Sequence, residues 1–395
     1  MDMTLVAELI FWGSAALIGY AYWGYPLALF VLAGCRSRSI TRADITPPVT
    51  FVVTAYNEEK RISEKLENTL LLDYPRDRLE IVVASDCSTD RTDEIVKQFG
   101  PRGARLIRAP RRGGKESAQK LAVDAAHGEI LVFSDVATIL GPNALTNIVK
   151  NFADPTVGCV TSVDKMIDEE GKGIGEGAYL RYEMFLRELE SRVKTVVGLS
   201  GSFFAARREI CEPWAVDLQS DFNTLCNAVA RGLRGVSDTD TVGYYHPLSD
   251  DGLEYHRKVR TVVRGLAVVR HRWYMLNPFR YGLFAWELFS HKVSRWLVPF
   301  AMVSALISNA AIAWGPHLLF RATLLFQLAF YALATFGLWI DRRLGTSAFR
   351  TFKFFVVVNL SILTAWCRFL GGHQIVRWDP SVRPGWRREP GANPR

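Results

Sequence analysis

Apolar residues are concentrated at the two ends of this 395-residue chain, and the middle has the mixed pattern of a soluble domain. Residues 5–32 are apolar apart from Glu8, a few small residues and an aromatic cluster. Residues 296–314 and 318–340 form two more long apolar runs, separated by a Gly-Pro-His turn. A bilayer core requires about 20 apolar residues. The pattern therefore predicts transmembrane helices on both sides of a soluble domain.

Two further segments leave alternatives open. Residues 354–370 form a shorter apolar run that either crosses the membrane or is re-entrant. Residues 281–295 mix aromatic and charged side chains, as in an amphipathic helix lying at the membrane interface, although a helix packed on the soluble domain has the same composition. The predicted division is a transmembrane helix in 1–34, a linker in 35–48, the soluble domain in 49–272, and the interfacial helix with about three transmembrane segments in 273–395.

The charges around the first apolar run orient it in the membrane. Asp2 and Glu8 precede or lie within it, whereas Arg36 and Arg38 follow it. A signal peptide has a basic start and a shorter core, so we expect an uncleaved span. The positive-inside rule places the N-terminus outside and the soluble domain in the cytoplasm. We expect a multi-pass protein of the inner (cytoplasmic) membrane.

The middle of the chain alternates short β-branched runs with helical stretches. The runs at 49–53, 79–84, 105–108 and 130–133 are largely apolar, as expected for strands buried on both faces. This alternation of strands and helices predicts an α/β fold, with a mostly parallel sheet and helices on both sides. Ligands of such folds bind at the carboxyl ends of the strands. Polar residues follow those ends repeatedly here, which makes that edge the candidate site.

Net charge and cysteine content narrow the class of protein. The formal charge of +8 does not form one basic stripe, because many arginines flank the apolar runs, and we therefore expect no nucleic-acid partner. The six cysteines include no CxxC pair and no disulfide spacing, so we expect reduced thiols and identify no zinc site.

Several polar residues occupy positions suited to binding a phosphorylated ligand. Asp86 follows the second predicted strand, where an aspartate is often only a helix N-cap, and Asp135 follows the fourth. Residues 111–115, Arg-Arg-Gly-Gly-Lys, open a helix whose N-terminus is suited to a phosphate, although a basic surface loop is the alternative. Asp221 begins a later helix, and the basic cluster at 257–260 is suited to neutralising a departing diphosphate.

The order and spacing of these residues resemble the family-2 glycosyltransferases, most of all the membrane branch that includes cellulose, chitin, hyaluronan and poly-N-acetylglucosamine synthases. The matching positions run from Tyr56-Asn57-Glu58-Glu59 through Asp86, Gly114-Lys115, Asp135, Gly201 and Asp221 to Arg260, and extend to Ser290-His291-Lys292 and Arg295-Trp296. The resemblance implies a GT-A fold (Rossmann-like, mostly parallel) inserted between transmembrane helices. It also implies a UDP-sugar donor, Mg²⁺ or Mn²⁺, and inversion at the anomeric carbon.

The resemblance also implies a role for each matching residue. Asp221 would be the general base, Asp135 the metal ligand and first carboxylate of the DxD motif, and Arg260 the arginine of the QxxRW motif. The implied donor-binding set is Ala55, Asn57, Glu58, Asp86, Lys115, Asp135, Arg257 and Arg260, and the implied acceptor-binding residues are Gly201 and Ser202.

Three departures from the family pattern affect the expected reaction. Ala137 stands where the second DxD aspartate belongs, so metal coordination would rest on Asp135, water and the diphosphate. Residues 257–261 read Arg-Lys-Val-Arg-Thr, without the glutamine and tryptophan of QxxRW, and no glutamate precedes Asp221. The leading expectation is extension of a poly- or oligosaccharide at the cytoplasmic membrane face. Transfer of one sugar to a lipid carrier is the second, and a catalytically silent membrane scaffold is the third.

Overall fold

The computed structural model describes residues 3–167, 178–246, 251–344 and 350–373. The chain divides into two compact units. The helical unit comprises Met1–Ala28, Asp251–Leu266 and Tyr274–Gln374, and the sheet unit comprises Leu29–Asp250, Ala267–Trp273 and Ile375–Arg395. The predicted domain limits after residues 34, 48 and 272 stay predictions.

The sheet unit is built around eight strands: β1 (Val49–Ala55), β2 (Leu79–Ser85), β3 (Ala104–Arg108), β4 (Ile130–Asp135), β5 (Ile139–Leu140), β6 (Val157–Met166), β7 (Phe203–Arg207) and β8 (Arg234–Tyr245). They form one mixed sheet in the order β3-β2-β1-β4-β7-β6-β8-β5. Strands β1 to β4 run parallel to one another, whereas β7 is antiparallel to both β4 and β6. The predicted α/β class and mostly parallel sheet are confirmed.

The parallel register brings polar strand ends to one edge of the sheet. Ala55 on β1 pairs with Ser85 on β2, and Thr54 on β1 pairs with Asp135 on β4. Because the strands end level, the loops that carry Asn57, Asp86 and Asp135 all leave the sheet at the same edge. This is the edge at which α/β folds bind ligands.

In chain order the α-helices are α1 (Met3–Gly19), α2 (Tyr25–Cys35), α3 (Ile62–Leu70), α4 (Thr92–Gln98), α5 (Lys115–Asp124), α6 (Ala144–Lys150), α7 (Ala178–Val193), α8 (Arg208–Cys211), α9 (Ser220–Ala230), α10 (Asp251–His271), α11 (Pro278–Tyr281), α12 (Leu283–Leu288), α13 (Ser294–Ile312), α14 (Leu318–Leu344) and α15 (Arg350–Leu370). Helices α3, α4 and α6 cover one sheet face with Phe51 in its core. Helices α5 and α9 cover the other, with Val52 in its core. Side chains alternate across a strand, so burial on both faces requires the continuous apolar runs of the sequence.

Three helical runs of the described residues are long and apolar enough to cross a membrane: Met3–Cys35, Leu283–Ile312 and Leu318–Gly337. A shorter apolar helix spans Phe354–Leu370. Their length and composition indicate membrane association. Residues 283–312 form one helical run, and the interfacial position predicted for 281–295 stays a prediction.

Two π-helical turns pack against each other within the helical unit. One covers Tyr20–Gly24, between α1 and α2, and the other covers Phe289–Val293, between α12 and α13. The Tyr20 hydroxyl lies 2.6 Å from Ser290 Oγ and accepts a hydrogen bond from Trp286 Nε1 at 2.8 Å. The widened turns therefore place polar groups opposite one another between two otherwise apolar helices.

Candidate active site

The loop after β1 is tied to the loop after β2 by hydrogen bonds. Asp86 N donates to Ala55 O at 2.9 Å, and Thr89 N donates to Asn57 Oδ1 at 2.8 Å. Asn57 adopts a positive φ of 52°, a conformation that asparagine tolerates better than most residues. The described contacts of Ala55 and Asn57 are thus internal to the loops, and their donor-binding role stays a prediction.

Glu58 forms a buried ion pair within the same loop. Its carboxylate accepts two hydrogen bonds from the Arg61 guanidinium, at 2.8 and 2.7 Å, and its N–H donates to Thr92 Oγ1 at 2.7 Å. Burial raises the pKa of Glu58 more than the neighbouring Arg61 lowers it. The described contacts give Glu58 a structural role, and its predicted contact with the donor stays a prediction.

The buried carboxylate of Asp86 holds the glycine turn that precedes α5. Its Oδ1 accepts a hydrogen bond from Gly113 N at 2.8 Å, and its Oδ2 accepts one from Gly114 N at 2.9 Å. Gly114 has a φ of 96°, and a Cβ on Gly113 would lie 2.4 Å from Ser117 Oγ. The turn therefore requires both glycines, and it delivers Lys115 to the first position of α5.

Lys115 connects the β4 terminus with the loop before β7. Its Nζ lies 2.5 Å from Asp135 Oδ1 and donates to Gly201 O at 2.8 Å. Asp135 N also donates to Ser202 O at 2.9 Å. The lysine and aspartate predicted on the donor side therefore contact the loop predicted on the acceptor side.

Asp221 lies in the first turn of α9, beside the same loop, and is 7% exposed. Its Oδ2 accepts a hydrogen bond from Gln219 Nε2 at 3.1 Å, and its Oδ1 accepts one from Phe222 N at 2.6 Å. A Cβ on Gly201 would lie 2.6 Å from Oδ2. The structure therefore joins the Asp86 turn, Lys115, Asp135, Gly201 and Asp221 through direct contacts.

Two residues of this site were missed by the sequence analysis. Lys65 on α3 is fully buried and donates to Ser134 Oγ at 2.7 Å and to Thr138 O at 2.6 Å, which holds both ends of the loop that carries Asp135. Burial lowers the pKa of Lys65 to about 7, although nearby Asp135 opposes the shift. Its position among the apolar residues of α3 in the sequence could have indicated that Lys65 is buried.

The second residue that was not predicted is Asp164, which accepts hydrogen bonds from Ser200 and Ser202.

The predicted diphosphate-binding arginines lie on α10, in the helical unit. Arg257 donates to Glu254 through Nε at 2.8 Å and through Nη2 at 2.7 Å, and Lys258 Nζ lies 3.3 Å from the same carboxylate. These cations lower the pKa of Glu254 to about 2 against the opposing effect of burial. Arg260 follows one turn later on α10. The donor-binding roles of Arg257 and Arg260 stay predictions.

The metal implied by the resemblance can be tested against the donor atoms present. Within the described residues no group of three or more His, Cys, Asp or Glu side chains is arranged to hold a metal. Mg²⁺ is commonly held by one or two carboxylates together with water and substrate phosphates. Asp135 alone fits that mode, since Lys115 occupies its Oδ1 and no hydrogen bond from the described part of the chain reaches Oδ2.

Residues 50–214 match the family model described as Glycosyl transferase family 2. The chain is 32% identical over 149 residues to a beta-monoglucosyldiacylglycerol synthase of Synechocystis, covering 36% of this chain and 31% of that protein. It is 28% identical over 146 residues to the poly(ribitol-phosphate) beta-N-acetylglucosaminyltransferase TarS of Staphylococcus aureus, covering 36% and 25% respectively. The chain therefore spans a third or less of these two curated relatives.

A solved mannosyltransferase of Pyrobaculum calidifontis, in complex with GDP-Man and Mn²⁺, is 26% identical with a TM-score of 0.70. The match covers 92% of this chain and 99% of that one. Residues 50–214 thus resemble family-2 glycosyltransferase domains, the fold is GT-A-like, and these matches support the predicted enzyme class, a family-2 hexosyltransferase.

Proposed function

We propose that the chain is an inverting glycosyltransferase that moves one sugar from a nucleoside-diphosphate sugar to an acceptor at a membrane. One observation carries the proposal. Lys115, Asp135, Gly201 and Asp221 are linked by direct contacts at the carboxyl edge of the sheet. That linkage brings a cation and a carboxylate suited to the donor diphosphate next to a second carboxylate suited to the acceptor.

Asp221 acts as the general base in this proposal. The acceptor hydroxyl oxygen attacks the anomeric carbon, its proton passes to the Asp221 carboxylate, and the bond from that carbon to the diphosphate oxygen breaks. A single base carboxylate suits direct displacement, which inverts the configuration. The hydrogen bond from Gln219 Nε2 to Asp221 Oδ2 holds the base in orientation.

The donor diphosphate binds beside Lys115 in this proposal. The ammonium group is fixed by Asp135 Oδ1 and Gly201 O and supplies positive charge where negative charge develops on the leaving group. Asp135, together with the diphosphate and water, would hold the divalent metal, which adds Lewis-acid charge at the leaving oxygen when bound. Arg257 and Arg260 are proposed to contribute further positive charge.

Two donor classes fit the proposal. UDP-sugars follow from the family resemblance, whereas the solved relative with 26% identity carries GDP-Man. The adenine- or thymine-containing donors have no such support. The direct test is therefore a panel that includes both a UDP-sugar and GDP-mannose.

The acceptor that we propose is a membrane lipid. The curated relative with 32% identity is named a beta-monoglucosyldiacylglycerol synthase, and this chain contains helices suited to crossing a bilayer. Thr261 stands where the family tryptophan belongs, which disfavours long processive synthesis. Transfer to a polymer is the second candidate, favoured by the name of TarS, a poly(ribitol-phosphate) beta-N-acetylglucosaminyltransferase.

The membrane orientation completes the proposal. In the sequence, Asp2 precedes the first apolar run and Glu8 lies near its start, and Arg36, Arg38 and Arg42 follow it. From the positive-inside rule we infer that the sheet unit lies on the cytoplasmic side of the inner membrane.

The experiment uses the full chain purified in detergent with diacylglycerol micelles. UDP-glucose, UDP-N-acetylglucosamine and GDP-mannose are each supplied with Mn²⁺ or Mg²⁺, and nucleoside diphosphate release and labelled product are followed. Lipid-extractable label supports the lipid acceptor, and high-molecular-weight label supports polymer extension. Asp221→Asn should lower transfer by about 1,000-fold and preserve nucleotide binding, whereas the exposed control Asp124→Asn should retain activity. If the wild-type protein released nucleoside diphosphate from none of the three donors, the proposal would be refuted.

A further inference from the structure

The three residues Ser200, Gly201 and Ser202 form a loop contacted by groups from several parts of the sheet unit. Lys115 Nζ donates to Gly201 O, and Asp135 N donates to Ser202 O. Gly201 also lies against the Asp221 carboxylate. We refer to residues 200–202 as the hinge loop, because it lies between the proposed donor-side and acceptor-side groups.

Asp164 holds the hinge loop through both of its serines. Ser200 Oγ donates to Asp164 at 2.8 Å to Oδ1 and 2.9 Å to Oδ2, and Ser202 Oγ donates to Oδ1 at 2.7 Å. Hydrogen bonds to a charged acceptor are stronger than those between neutral groups. The two serines flank Gly201, so the carboxylate fixes the loop on both sides of the glycine.

The position of Asp164 in the sheet makes this contact rigid. Asp164 lies near the end of β6, where it pairs with Gly243 of β8. A register irregularity between Thr161 and Val163 precedes it, and Thr161 Oγ1 accepts a hydrogen bond from Ser200 N at 2.6 Å. The side chain of Asp164 is 14% exposed, and Arg187 Nη1 of α7 lies 4.0 Å from its Oδ2. A nearly buried carboxylate on a paired strand thus anchors the loop.

We propose that Asp164 is a positioning residue for sugar transfer, which fixes the hinge loop so that Gly201 contacts Lys115 and Asp221 together. The inference rests on the proposed function. Asp164 acts through the two serines. A glycine-centred loop has many accessible conformations when its flanking residues are released. A displacement of about 1 Å in a catalytic arrangement lowers the rate by about 100-fold.

Three variants separate the parts of this role. Asp164→Ala removes the acceptor of both serine hydroxyls. Asp164→Asn removes the charge but keeps Oδ1, the oxygen that both hydroxyls reach. Ser200→Ala/Ser202→Ala removes the donors and leaves Asp164 in place. Asp124→Asn, on the exposed surface of α5, is the matched control for loss of one carboxylate.

The measurement compares transfer with nucleotide binding in the full chain in detergent. With the donor that the wild-type protein uses and diacylglycerol micelles as the acceptor, we expect Asp164→Ala to lower kcat/KM for the acceptor by about 100-fold. We expect Asp164→Asn to lower it by about 10-fold and the double serine variant to match Asp164→Ala. UDP and GDP affinities measured by calorimetry with Mn²⁺ should change by less than about threefold, since Asp135 Oδ1 still holds the Lys115 ammonium group when the loop is released.

Hydrogen–deuterium exchange gives a second readout that needs no substrate. Asp164→Ala should increase exchange at the amides of the hinge loop by about 10-fold or more, and leave exchange in β1 unchanged. A wild-type protein without transfer activity would refute the proposed function and leave this exchange result to decide the inference. The positioning role would be overturned if Asp164→Ala left exchange in the hinge loop unchanged or left kcat/KM for the acceptor unchanged. It would also be overturned if nucleotide affinity fell by the same factor as kcat/KM for the acceptor.

Discussion

Gly201 lies directly against the carboxylate of Asp221, with no space for a side chain between them. A Cβ atom at Gly201 would lie 2.6 Å from Asp221 Oδ2, which is closer than a Cβ atom approaches a nonbonded atom in proteins. The carbonyl of the same glycine accepts the hydrogen bond from Lys115. One residue without a side chain therefore lets the proposed base and the proposed diphosphate-binding lysine converge on the same loop.

Gly201→Ala tests this contact. The added methyl group forces either the loop or the Asp221 carboxylate to move, so we expect kcat to fall by about 30- to 100-fold. Affinity for nucleoside diphosphate, measured by calorimetry, should stay within about threefold of the wild-type value, because Asp135 Oδ1 still holds the Lys115 ammonium group.

A second glycine provides the control for that substitution. Gly100 has open space around the position of its missing Cβ, and Gly100→Ala should leave the activity unchanged. If Gly201→Ala retained the wild-type kcat, the packing of Gly201 on Asp221 would have no catalytic consequence.

Removal of divalent metal should abolish transfer. Treatment of the purified protein with EDTA is expected to reduce nucleoside diphosphate release to background, and Mn²⁺ or Mg²⁺ should restore it. Asp135→Asn should raise the metal concentration needed for half-maximal activity by about 10-fold or more, because one neutral amide oxygen replaces the carboxylate. Electron paramagnetic resonance of Mn²⁺ with the bound nucleotide measures the same loss without turnover. Full activity in EDTA would contradict the metal role of Asp135.

Asp86→Ala should destabilise the glycine turn and displace Lys115. The substitution leaves the N–H groups of Gly113 and Gly114 without their acceptor, at a cost of about 1–3 kcal/mol for each buried group. We expect the Tm in detergent to fall by roughly 5–10 °C, together with a higher donor KM. Asp77→Asn, an exposed carboxylate, is the control, and an unchanged Tm in Asp86→Ala would show that other groups hold the turn.

The central strands were predictable from sequence because both of their faces are buried. β1 is buried along its whole length and β4 along nearly all of it, so apolar side chains are required at successive positions whatever the contacts further along the chain. The same regularity located Asp86 and Asp135, since each follows such a run directly.

The strands β6 and β8 were not predicted, and Asp164 was missed with them. β8 contains Ser237, Asp238, Thr239 and Asp240, whose polarity gives little strand signal. Its Asp238 is buried and accepts a hydrogen bond from Asn151, which lies in a distant segment of the sequence. Such pairings depend on the complete fold and leave no local periodicity.

The family pattern does not say what the atoms of its matching residues contact. The Ser202 hydroxyl donates to Asp164, and its predicted contact with the acceptor stays a prediction. The Glu58 carboxylate pairs with Arg61, and its predicted contact with the donor stays a prediction. Side-chain geometry is decided by neighbours on other strands and loops, which one sequence does not contain.

Lys65 should make the free energy of unfolding rise with pH, and a variant without the amine should lack this rise. Its pKa is about 7 when folded, because burial disfavours the charged form, against an ordinary value of 10.5. Below pH 7 both the folded and unfolded states carry the proton, and folding includes the full cost of burying the ammonium group. Between pH 7 and about 10 the unfolded state binds more protons, so the free energy of unfolding rises by about 1.4 kcal/mol per pH unit at most. Lys65→Met lacks this gain, and its Tm relative to wild type should therefore decrease from pH 6.5 to pH 9. A Tm difference independent of pH would show that Lys65 keeps its proton in the folded protein throughout this range.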